Sequence, residues 1–199
     1  MKIIGITGPT GAGKTTALNV LRDMGAEVLD ADAVYHRLLE ESPPLRESLA
    51  AAFGAGILDG EGRVDRKKLS AVVYPDRLEE LNALTHPAVA EEIFRLADQA
   101  RARGSIAVAI DAIALVESGM AAWCDIVVAV LAPLEVRIRR IMARDGINEA
   151  YARRRALAQK DEAFFRSHAG YVLENRGSDT AETFGERAEA LFRELLGRR

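Results

Sequence analysis

The sequence predicts an α/β fold in three layers, with a five-stranded parallel sheet between helices, a large helical insertion and a second, shorter helical excursion. Three observations predict it: short apolar runs bounded by Gly, Asp or Pro, helical patterns between them, and very uneven spacing from one run to the next.

The runs fall at 2–7, 27–30, 106–111, 125–131 and 171–174. The longer ones are rich in Val and Ile, as suits strands buried on both faces of a parallel sheet. Residues 8–26 give an ordinary loop-and-helix crossover. About 75 residues then separate the second run from the third, far beyond the dozen or so that a crossover needs. This excess reads as helices at 33–41, 45–53, 65–84 and 87–103, broken by Ser42-Pro43-Pro44 and by the glycine-rich stretch 54–62. The expected organisation is one domain: a core of 1–32, 105–132 and 171–199, a helical insertion at 33–104, and a helical lid at 133–170.

Composition narrows the partners. Hydrophobic residues make up 49% and charged residues 29% of 199, which is enough apolar content to fold and places the chain among globular proteins. Apolar stretches such as 106–116 and 126–132 fall short of the roughly 20 residues of a membrane helix, and 1–7 is too brief for a secretion leader. A single cysteine, Cys124, excludes an intrachain disulfide and a cysteine-rich zinc site, fits a reducing cytoplasm, and reads as a core residue. The net charge of −3 gives no overall basic footprint for nucleic acid. Residues 133–168 nevertheless hold nine Lys/Arg against five Asp/Glu, so the lid segment is locally basic. Nothing in the sequence calls for an obligatory protein partner or a membrane.

Gly8-Pro9-Thr10-Gly11-Ala12-Gly13-Lys14-Thr15 follows a predicted strand and precedes a predicted helix. Spacing and context match the phosphate-binding loop G-x-x-x-x-G-K-[ST]. Gly8, Gly11, Ala12 and Gly13 let backbone N–H groups face a phosphate, the helix N-terminus adds partial positive charge, and Lys14 reaches the terminal phosphates. Thr15 would ligate magnesium through its hydroxyl, and Thr16 extends the same turn. A GTPase would add an Asn-Lys-x-Asp motif and a transport ATPase a Leu-Ser-Gly-Gly-Gln-like segment; both are missing, and Asp59-Gly60-Glu61-Gly62 reads as a loop turn. Kinases of small molecules remain.

The second strand ends in Leu29-Asp30-Ala31-Asp32, at the strand end where open α/β sheets bind ligands. If the chain stays extended through Asp32, both carboxylates point to one side, and one of them orients or deprotonates an incoming hydroxyl. Alternatively Asp32 caps a helix that starts at Ala33. Within the lid, Arg137, Arg140 and Arg144 stand at i, i+3 and i+7, one face of a helix over 134–144. An arginine on the transferred phosphoryl group contributes about 10³–10⁵ in rate where such a residue operates. Arg140 is the first choice for this role and Arg144 the second, whereas Arg153-Arg154-Arg155 reads as a solvated face.

The segments Ile4-Gly5-Ile6-Thr7-Gly8, Lys14-Thr15-Thr16, Gly25-Ala26 and Leu29-Asp30-Ala31-Asp32 resemble the amino-terminal signature of the dephospho-CoA kinase family. Further resemblances follow in order: Phe53-Gly54, Ile57-Leu58-Asp59, Gly62, Asp65-Arg66 and Leu69; His86-Pro87; Asp111 with Glu117-Ser118-Gly119; 142–146; and Tyr171-Val172-Leu173 with Asn175 and Gly177. The resemblance implies a P-loop kinase fold and transfer of the γ-phosphoryl of Mg-ATP to the ribose 3′-hydroxyl of dephospho-CoA. It implies Asp32 as the base or hydroxyl-orienting group, with Thr7, Asp30, His86 and Asp111 forming or bordering the acceptor site. His86 would otherwise cap a helix beginning at Pro87, and Asp111 is either a magnesium-water ligand or a hydroxyl contact. Ile113 stands where the family usually has proline, and His168 and Gly170 where it often has a basic residue and an aspartate. The rival expectations are a kinase of another acceptor, such as a nucleotide or sugar acid, and a non-catalytic nucleotide switch.

Overall fold

The computed structural model describes residues 1–197. Strand β1 (Lys2–Thr7) leads through the glycine loop into helix α1 (Lys14–Asp23), and β2 (Glu27–Asp30) follows. Helices α2 (Ala31–Glu41), α3 (Pro43–Phe53), α4 (Arg66–Val73) and α5 (Leu78–Ala102) precede β3 (Ala107–Asp111) and β4 (Ile126–Leu131). Then come α6 (Leu134–Asp145), α7 (Glu149–Leu157), α8 (Glu162–His168), β5 (Tyr171–Glu174) and α9 (Ala181–Leu195).

The sheet order is β2-β3-β1-β4-β5, with β1 paired in parallel to both β3 and β4, and β4 to β5. Alternation along β4 shows why helices must lie on both faces. Val128 and Val130 join the cluster of Ile4, Ile6, Leu18, Leu21, Phe184 and Phe192 from β1, α1 and α9. Ala129 and Leu131 face the other way, onto Phe165 of α8. Gly5 is dictated by closeness: a Cβ there would stand 2.5 Å from Leu115 Cδ2 and 2.9 Å from Cys124 Sγ. Cys124 is half-buried, and burial first, then the charge of Asp125, pushes its thiol pKa up to about 12. Such a thiol is inert at neutral pH, consistent with a packing role.

The chain divides into two compact units: residues 1–29 together with the chain from Ala97 onward, and Asp30–Leu96. The second unit packs Leu39, Leu45, Leu49, Phe53, Ile57, Leu69 and Val73 into its own apolar core. Its helices start where the sequence supplies caps. Ser42 accepts from Leu45 N with Pro43 and Pro44 in the first turn, and Asp65 accepts from Lys67 N and Lys68 N. Asp59-Gly60-Glu61-Gly62 is a turn, with Asp59 Oδ1 accepting from Glu61 N and Arg63 N.

Two expected helix breaks fall elsewhere. The helix expected over 65–84 breaks at Tyr74-Pro75, where Tyr74 is extended, as residues before proline tend to be. Conversely, Pro87 does not start a helix but lies inside α5, and His86 therefore caps nothing. Buried Val89, Ile93, Ala97 and Ala100 recur at helical spacing along α5, and their burial holds the helix together through the proline. Among the described residues no helix is long and apolar enough to cross a membrane.

Candidate active site

β1 lies at the switch point of the sheet, flanked by β3 and β4, so its carboxyl end opens onto a crevice. The loop leaves β1 here. Gly8 (φ 133°) passes so close beneath β4 that a Cβ would lie 2.1 Å from Val130 O, which no side chain tolerates. Gly13 adopts the left-handed conformation at the N-cap and hands the chain to α1, aiming the first helical N–H groups at the crevice. Lys14 Nζ lies across the loop and donates to Gly8 O at 2.9 Å. Thr15 is exposed in the first turn, and Thr16 N closes onto Gly13 O.

Residues distant in sequence grip this loop. Arg140 Nη1 donates to Gly11 O at 3.2 Å and Ala12 O at 3.3 Å, and its Nη2 to Asn175 Oδ1 at 3.0 Å. Buried Asn175 returns a bond from Nδ2 to Ala12 O at 2.9 Å. Burial lowers the pKa of both Arg137 and Arg140, although both guanidinium groups remain charged at neutral pH. The three arginines expected on one face of α6 meet three fates. Arg137 is buried, Arg140 holds the loop, and Arg144 pairs with Asp145, which also takes Arg155. Arg153 pairs with Glu135 and Glu149 at the surface, so the triple-arginine run is a solvated face.

Thr7 is buried, and its hydroxyl donates to Ile113 O at 3.1 Å, fixing the start of the loop after β3. Asp111 ends β3 in register with Ile6, one strand away from the phosphate loop. A cavity of about 250 Å³ opens among Ile113, Glu117, Ala158, Gln159, Lys160 and Phe165. Thr7, Asp111, Lys14 and Arg140 thus share the carboxyl edge of the sheet.

Asp30, Asp32 and His86 belong to the second unit. The extended reading through Asp32 is corrected: the strand stops at Asp30, whose Oδ1 accepts from Asp32 N at 2.9 Å and Ala33 N at 3.0 Å. Asp30 is thus the cap of α2, and Asp32 stands exposed in its first turn. An aspartate just before Ala31 is a strong helix start, and this local signal overrides strand continuation. His86 is half-buried in the middle of α5. In the same unit an open cavity of about 960 Å³ is lined by Val64, Asp65, Arg66, Lys67, Ser70 and Ala71.

Arg137, Thr10, Gln159 and Asn175 around the loop were not legible as site residues. Arg137 and Thr10 carry positional signals, on the α6 arginine stripe and inside the phosphate loop, and Asn175 carries another, since it directly follows β5 at the ligand-binding edge.

A glycine loop gripped by arginine at the switch point of a parallel sheet, with arginine-bearing helices after β4, defines the P-loop kinases of small molecules. The family model for dephospho-CoA kinase matches residues 2–181, and the chain belongs to the dephospho-CoA kinase family. Dephospho-CoA kinase of Corynebacterium diphtheriae is 38% identical over 89% of this chain and 90% of its own length. That of Anaeromyxobacter dehalogenans is 38% identical over 100% of this chain and 94% of its own. The crystal structure of TT1252 from Thermus thermophilus, 35% identical, superposes with a TM-score of 0.76 over 98% of this chain and 97% of that one.

Proposed function

We propose that the chain transfers the γ-phosphoryl group of ATP to the ribose 3′-hydroxyl of dephospho-CoA, yielding CoA and ADP, the last step of coenzyme A biosynthesis, in the cytoplasm. The observation that carries this reading is the gripped phosphate loop, in a chain that the family model covers almost from end to end.

Transfer is in line and direct. Backbone N–H groups of Gly11, Gly13, Lys14 and Thr15 at the α1 N-terminus bind the phosphates, and Lys14 moves from Gly8 O to the terminal ones. Hard oxygen donors, the exposed Thr15 hydroxyl and the Asp111 carboxylate, fit magnesium, which takes few protein ligands and keeps its waters. When bound, the ion supplies charge neutralisation between the phosphates. Among the described residues no cluster of His, Cys, Asp or Glu offers a separate metal site. Arg140 exchanges its loop carbonyls for the γ-phosphoryl oxygens, where negative charge develops, while Arg144 binds the nucleotide as the lid at 133–170 closes and excludes water.

Asp32 orients or deprotonates the 3′-hydroxyl. Its exposed place in the first turn of α2 leaves the carboxylate open to an acceptor. The proposed acceptor contacts are Thr7 and Asp111 in the first unit and Asp30 and His86 in the second. Arg66 and Lys67, lining the cavity of the second unit, suit the diphosphate of dephospho-CoA.

Incubating the protein with Mg-ATP and dephospho-CoA tests the proposal by mass spectrometry. CoA should accumulate in step with ADP, at a rate well above that with nucleotides or sugar acids as acceptors. Turnover of one of those acceptors in preference to dephospho-CoA would reject the assignment.

A further inference from the structure

Thr10 occupies one of the motif positions at which any residue is allowed, yet its backbone N–H, its carbonyl and its hydroxyl are all bound by side chains from far along the chain. Thr10 N donates to Gln159 Oε1 at 2.9 Å, and Gln159 Nε2 donates to Thr10 Oγ1 at 2.9 Å. Arg137 Nε donates to Thr10 O at 3.0 Å. The ring closes through Arg137 Nη2, which donates to Gln159 Oε1 at 3.1 Å and to Ala156 O at 3.2 Å. Four places are thereby joined: the phosphate loop, α6, the last turn of α7, and the joint between α7 and α8.

Arg137 is only 8% exposed, and every acceptor it meets in this ring is neutral. Withdrawing a guanidinium from water is costly, and an apolar side chain of similar volume would fill the space without that penalty. Packing alone therefore gives no reason for arginine here. The backbone repeats the closeness. A Cβ on Gly11 would lie 2.8 Å from Arg137 O, so α6 lies directly against the curl of the loop.

We infer that Arg137 and Gln159 are positioning residues for the nucleotide, clamping Thr10 so that the loop is curled to receive phosphates before they arrive. Since the same two side chains hold Ala156 and the α7–α8 joint, filling the loop and fixing that joint are coupled events, each favouring the other. The inference rests on the reading of the loop as the ATP site. Arg137 touches no reacting atom; it acts through Thr10.

The test uses the whole protein and two readouts: the Kd for Mg-ATP by titration calorimetry, and hydrogen exchange of amides 156–160 with and without Mg-ATP. Wild-type protein should bind Mg-ATP, and binding should slow exchange at 156–160. Gln159→Leu and Arg137→Met should each raise the Kd about tenfold, abolish that slowing, and leave the KM for dephospho-CoA within about twofold. Arg137→Gln, which keeps a donor for Thr10, should recover part of the affinity. The double variant should bind about as Arg137→Met alone, because both residues belong to one ring. If Arg137→Met fails to fold, Gln159→Leu and Arg137→Gln carry the same comparison. Folded Gln159→Leu protein with wild-type Kd and wild-type slowing would overturn the clamp while leaving the ATP reading intact. A wild-type protein that does not bind Mg-ATP would overturn both.

Discussion

In the phosphate loop, the carbonyls of Thr10, Gly11 and Ala12 all accept from arginine side chains of α6, and Asn175 adds a further bond to Ala12. In the Asp30–Leu96 unit the interior is apolar, and the polar groups of interest, Asp30 and Asp32, stand at an exposed helix start fixed by a local cap. The difference is one of preorganisation. Phosphate oxygens must be met by several donors at fixed positions, and a built brace holds the backbone donors of the loop in place before the phosphates arrive. A single acceptor hydroxyl needs one carboxylate within reach, and in the proposed mechanism the exposed Asp32, in the first turn behind the Asp30 cap, supplies it.

The largest expected effect strikes the second region. Asp32→Asn should lower kcat for CoA formation by about 10²–10⁴, because the amide neither accepts the proton nor holds the hydroxyl as strongly. Since the phosphate loop is braced by residues outside Asp30–Leu96, the Kd for Mg-ATP should stay within about twofold. Stopped-flow rates together with calorimetry make the measurement. A variant with wild-type kcat would reduce Asp32 to a surface residue of α2.

Lys14→Ala should have the next largest effect, about 10²–10³ in kcat/KM, and of a different kind. It removes charge from the terminal phosphates, so transfer to every acceptor and the slow background hydrolysis of ATP should fall together. Asp32→Asn should spare that background hydrolysis. Comparing the two variants in an ATPase assay without acceptor separates the regions directly, and equal hydrolysis in both would merge them.

The same contrast explains what the sequence discloses. The strands stand out because Val and Ile crowd short segments between Gly, Asp and Pro, and the loop because Gly8, Gly11, Gly13 and Lys14 fall close together at the spacing of the motif. Caps such as Ser42 and Asp65 are local and equally visible. Asp30 shows how two local signals compete: the strand could have run on to Asp32, but an aspartate two residues from the next free N–H groups begins the helix instead. Pro87 misleads because its position in a helix is decided by burial of Val89, Ile93 and Ala97 along α5, a tertiary effect that overrides a preference worth about 3 kcal/mol. The arginine stripe on α6 is visible as a stripe, yet the partners of Arg137 lie at Thr10 and Gln159, and no periodicity links positions so far apart.

The smallest expected effect on catalysis comes from weakening the second region's own interior. Leu49 is fully buried in α3, and Leu49→Ala should destabilise the protein by about 2–5 kcal/mol through lost transfer energy and a residual cavity. If Asp30–Leu96 holds together by its own apolar core, hydrogen exchange should quicken across 30–96 while amides 8–17 of the braced loop keep their protection, and the Kd for Mg-ATP should hold. Equal quickening in both segments would mean that they open as one cooperative body. The local caps of the second region would then draw their stability from the sheet, and the contrast with the braced loop would be one of chemistry alone.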